Sequence, residues 1–151
     1  VMDRYDVVET LNDLIENCKD GEYGFRTCAE HAKSANLKSV FAQRAGQCRA
    51  AAEELQTLVT RFGGTPDTSG TVAGAAHRGW IAVRGAVALD DDQAMLNECE
   101  RGEDIAINRY RKALQEDLPP EVEAVVRRQY EGARHNHDQI KALRDSYKTT
   151  A

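Results

Sequence analysis

At 151 residues the chain is one domain with room for a substantial core, and 41% hydrophobic with 30% charged residues excludes disordered and fibrous classes. Three prolines and 6% aromatics argue against an all-β fold. A net charge of −5 and a pI near 5.4 disfavour a dedicated binder of nucleic acid or anionic membrane, which would gather Lys and Arg against phosphate.

The first predicted helix runs from about Asp3 to Lys33. Val8, Leu11, Ile15, Cys18, Glu22, Phe25, Ala29 and Ala32 recur at steps of three and four, one face of an α-helix. Gly21 and Gly24 interrupt it and are read as allowing close approach of another helix. After a polar break at 34–36, with Asn36 as the expected cap, a second helix carries Leu37, Phe41, Ala45, Cys48, Ala52, Leu55, Val59 and Phe62. Gly63-Gly64 ends it, and the clearest loop of the chain follows at 65–70. A short glycine-containing helix, roughly Val72 to Ala88 with Trp80 as its anchor, is expected next.

Asp90-Asp91-Asp92 reads as an acidic cap for a third long helix carrying Leu96, Cys99, Glu103, Ala106, Tyr110 and Ala113. Leu118-Pro119-Pro120 breaks it, and Pro120 suits the first turn of a last helix presenting Val122, Val126, Tyr130, Ala133, His137, Ile140 and Tyr147. Short loops within each pair and one long connection between pairs predict an all-α four-helix bundle. It consists of two antiparallel hairpins with the short extra helix in the crossover.

The longest apolar run, 81–89, is broken by Arg84 and cannot span a bilayer. The opening VMDRYD carries acids rather than a basic apolar leader, so a cytoplasmic protein is expected. Cys18, Cys28, Cys48 and Cys99 show no CxxC spacing, and three of them fall on apolar stripes, where a reduced thiol packs as a small hydrophobe. No nucleophile elbow, phosphate loop or His-Glu-x-x-His motif is present.

Ionised groups are costly in a dry core, so an acid on an apolar stripe needs a partner, a metal or a proton. Glu22, Glu103 and His137 occupy stripe positions; Glu100 and Glu54 flank them. Counting residues from the helix starts puts Glu22, Glu100, Glu103 and His137 at one level, with Gln47 opposite and Glu54 nearly two turns away. Carboxylates and an imidazole converging from facing helices are a donor set for iron or manganese. Glu22, Glu54, Glu100, Glu103 and His137 are therefore the candidate ligands. The Glu-x-x-His pairs of a full di-iron centre are missing. In the competing reading Glu22 and Glu103 reach the bundle edge or arginines such as Arg44 and Arg144, His137 is a satisfied core histidine, and the bundle acts by association, as a dimer or adaptor without metal.

Four stretches together carry a resemblance: LNDLIENCKDGEYGF at 11–25, HRGW at 77–80, ECERGEDIAINRY at 98–110 and NHDQIKALR at 136–144. They resemble the bacterial ferritin-like family known as domain of unknown function 2383, over nearly the whole chain. That resemblance implies a ferritin-like bundle and no established activity. Ferritin-like proteins at large include iron stores and di-iron oxidases, and only the glutamates and His137 match their ligand sets.

Overall fold

A computed structural model describes the backbone of residues 2–67 and 91–150, with side chains as far as residue 147. Four helices account for nearly all of it: α1 (Arg4–His31), α2 (Ala35–Arg61), α3 (Asp92–Leu114) and α4 (Pro120–Thr150). The expected crossover helix at 72–88, with His77 and Trp80, lies outside the described residues.

Local chemistry sets the helix ends. Asp3 caps α1 by accepting from Asp6 N at 2.8 Å. Ser34 caps α2, accepting from Leu37 N at 3.3 Å, so the cap falls two residues before the expected Asn36. At the other end of α2, Gly63 takes φ +80°, Gly63 N donates to Thr60 O, and Gly64 N donates to Val59 O. This paired closure satisfies the last carbonyls and needs a residue tolerant of positive φ. Asp91 caps α3 through Gln93 N, while the carboxylate of its neighbour Asp92 accepts from Lys33 N and Ser34 N at 2.8 and 3.0 Å. That contact fastens the start of α3 to the α1–α2 turn.

Side-chain pairings fix the topology. Cys28 meets Cys99 and Cys18 meets Tyr110, so α1 and α3 run antiparallel. Arg44 reaches Gln139, Gln47 reaches Asn136, and Arg61 reaches Glu121, so α2 and α4 do too. The α1–α2 and α3–α4 hairpins are each packed along their length, and α2 and α4 meet chiefly through polar bridges.

The apolar interior forms two separate clusters. One gathers Leu11, Leu14, Ile15, Leu55, Val59, Val122 and Val126, all at 0% exposure. The other gathers Phe25, Cys28, Leu37, Phe41, Met95, Leu96 and Ile140. Each fully buried Leu, Ile or Phe contributes about 1.5–3 kcal/mol, so both ends of the bundle are strongly held while the middle is not. At the α2 terminus a Cβ on Gly64 would lie 2.5 and 2.7 Å from the two Val8 methyls. Val8 is β-branched and cannot swing clear, so Gly64→Ala is expected to lower stability by about 1–3 kcal/mol in urea unfolding.

Candidate metal site and central cavity

Between the two apolar clusters, at mid-height, lies a cavity of about 680 Å³. Its walls come from all four helices and include many small residues, among them Gly21, Ala51, Gly102, Ala106, Gly132 and Ala133. Where the four-helix stripes meet with such short side chains, the helices cannot fill the space between them. Glu54 stands at the cavity, clasped by Arg128 and by Gln129 Nε2 at 2.8 Å. Tyr110 closes one wall, its hydroxyl donating to Gln129 Oε1 at 2.8 Å and lying 3.3 Å from Cys18 Sγ.

Two charged residues are buried on this cavity. Arg44 is 3% exposed and Glu103 is 7% exposed. The Arg44 Nη1 donates to Gln47 Oε1 at 2.6 Å and its Nη2 to Gln139 Oε1, whereas Nε has no hydrogen-bond partner. Glu103 Oε1 likewise has none. Burial pushes the Glu103 carboxyl up to about 8, against the opposing pull of Arg44, with Asp104 and Glu100 adding to the rise. Burial lowers Arg44 from its ordinary value, with Glu103 opposing.

The cysteines are all free thiols. Burial raises Cys18 to about 11 and Cys48 and Cys99 well above their ordinary range, so these are packing groups and not nucleophiles.

A different cluster sits on the α3–α4 seam. Glu100, Asp104 and His137 each offer a ligand atom, and the three atoms lie within 4.8 Å of one another. His137 Nε2 is 2.7 Å from Asp104 Oδ1 and 3.8 Å from Glu100 Oε1, yet is aligned for a hydrogen bond with neither. The other Glu100 oxygen is taken by Arg144. Asp138 Oδ1 lies 3.5 Å from His137 Nδ1, so carboxylates flank both ring nitrogens.

The five sequence candidates thus occupy different surroundings. Glu100 and His137 come together, joined by Asp104, which the sequence reading missed. Glu103 lines the central cavity beside Arg44, and Glu54 lines it one stretch nearer the α2 C-terminus. Glu22 is outside the lining, half-buried, with Arg26 at 3.8 Å. Arg144 meets Glu100, whereas the competing reading expected it as a partner for Glu22 or Glu103. Among the described residues, Glu100, Asp104 and His137 are the group of three or more potential ligands close enough to share an ion.

The family model for the domain of unknown function DUF2383 matches residues 6–116. The chain belongs to this family. A solved structure of a Mycobacterium smegmatis Dps1 mutant superposes with a TM-score of 0.74, covering 95% of this chain and 99% of that one at 16% identity. At that identity the likeness establishes the fold, which is ferritin-like, as the resemblance implied. No curated protein matches the chain.

The DUF2383 chain carries a pH signature at Glu103. Its folded-state value, about 8, lies above the ordinary 4.5, so the folded state holds the proton more tightly than the unfolded one. The resulting stability is present below pH ~4.5 and is lost as pH rises through ~8. Relative to Glu103→Gln, the wild type is expected to lose on the order of 2 to 4 kcal/mol over that window, measured by urea unfolding at each pH.

Proposed function

We propose that this DUF2383 protein binds a divalent metal ion, iron or manganese, at the α3–α4 seam through Glu100, Asp104 and His137. The observation that carries the reading is the convergence of one donor atom each from Glu100, Asp104 and His137 to within 4.8 Å of one another. Two carboxylate oxygens and one imidazole nitrogen form a hard donor set with a borderline member, the combination that suits these metals better than thiolate-loving ones.

Each residue has a distinct part. Glu100 and Asp104, one helical turn apart on α3, present their oxygens to the same side. His137 reaches across from α4. Arg144 holds the far oxygen of Glu100, orienting it and partly offsetting its charge. A bound ion supplies a Lewis-acidic, redox-capable centre at the seam. The bundle centre fits an ion less well, because the buried guanidinium of Arg44 shares the cavity with Glu103 and repels a cation.

The test is titration of the chain with manganous ion, followed by loss of the free-ion electron paramagnetic signal. One ion per chain is expected. Asp104→Asn and His137→Ala are each expected to weaken binding at least about tenfold, while Glu103→Gln leaves it unchanged. Binding that survives both seam substitutions, or no binding by the wild type, overturns the reading.

A further inference from the structure

The central cavity calls for an explanation that the seam site does not give. Its volume of about 680 Å³ falls within the range of small-molecule pockets, which runs from about 300 to 1,000 Å³. Apolar walls, among them Phe25, Cys18 and Ala106, alternate in its lining with polar groups that include Arg44 and Glu103.

Helix packing does not require all the small residues that shape it. A Cβ on Gly21 would lie 2.9 Å from Cys48 Sγ, so that glycine admits the neighbouring helix. Gly132 is different. It sits inside α4 on the cavity lining, where glycine weakens a helix, and a Cβ there meets nothing within 4 Å. No neighbour demands a glycine at that exposed place, and its missing side chain leaves this side of the cavity open.

The polar groups define what fits. Arg44 is more than nine-tenths buried, and a guanidinium stays charged in a protein. Its Nη groups are held by two neutral amides, Gln47 and Gln139, and its Nε–H is unpartnered. No carboxylate forms an ion pair with it among the described residues. Glu103 pulls on this cation across the cavity without forming an ion pair, so a ligand anion that reaches the guanidinium directly recovers more of its desolvation cost. Glu103, also more than nine-tenths buried and with Oε1 unpartnered, offers an acceptor on the same cavity.

We infer that the central cavity binds a small amphipathic organic anion. Arg44 holds its carboxylate or similar head, the small-residue and Phe25 walls cover its apolar body, and Glu103 accepts an N–H or O–H where the ligand has one. The α2–α4 side provides the entry, since Gly132 and His135 of α4 are exposed and line the same cavity. This inference is independent of the seam site and stands or falls separately from it.

The probe is phenylbutyrate, with its uncharged analogue phenylbutanamide, titrated into the isotopically labelled chain and followed by amide chemical shifts. Saturable shifts are expected at Gly21, Gly102 and Gly132, with the amide binding at least about fivefold more weakly than the acid. Gly132→Leu fills the lining without a clash and is expected to weaken the acid at least about tenfold while leaving the helical circular dichroism intact. Arg44→Gln is expected to abolish the preference for acid over amide. Absence of saturable shifts, equal binding of acid and amide to the wild type, or undiminished binding by Gly132→Leu each overturns the inference. Manganese binding at the seam is unaffected by any of these results.

Discussion

The hydrophobic core of this bundle is divided, and the division governs the rest. Large apolar residues fill both ends, most of them at 0% exposure, while at mid-height the helices present many glycines, alanines and cysteines. Four helices held firmly at both ends cannot collapse onto short side chains in the middle, because the end clusters fix their separation. The space between therefore persists, and the two charged groups within it, Arg44 and Glu103, are kept from bulk water without being brought into an ion pair. Burial then does to Glu103 what it does to any isolated carboxyl, raising its pKa to about 8.

The same division separates centre from seam. In a bundle each helix faces two neighbours as well as the interior, so residues one position away from the inward stripe point at a seam. Glu100 and Asp104 do so on α3, and His137 meets them from α4. The seam remains partly open to water, which lowers the cost of holding two carboxylates close together, and Arg144 lowers it further. The centre, by contrast, has a cation already in place. Charge thus suits the two regions to opposite partners in the two proposals: a cation at the seam, an anion within.

Much of the architecture was legible in residue order. Apolar residues spaced three and four apart located all four helices, Gly63-Gly64 and Pro120 marked real ends, and loop lengths implied the paired hairpins. Capping was harder to read. Ser34 and Asn36 are both good caps, and the choice depends on a tertiary contact, since Asp92 binds the backbone of Lys33 and Ser34 from 59 and 58 residues away. The candidate site was legible only in part. Treating each helix as having one inward face identified Glu103 as buried but grouped it with His137, which belongs to the seam. Asp104 escaped because it lies off the stripe; its i,i+4 spacing from Glu100, which places both carboxylates on one face, was the available signal. The cavity left no trace in periodicity, because small residues satisfy a hydrophobic pattern without filling space.

The proposed metal site lies at the α3–α4 seam and not at the middle of the bundle. Anomalous diffraction from manganese-soaked crystals tests it most directly. The account predicts a peak bounded by Glu100, Asp104 and His137. A peak inside the bundle, between Glu103 and the α2 helix, would contradict it.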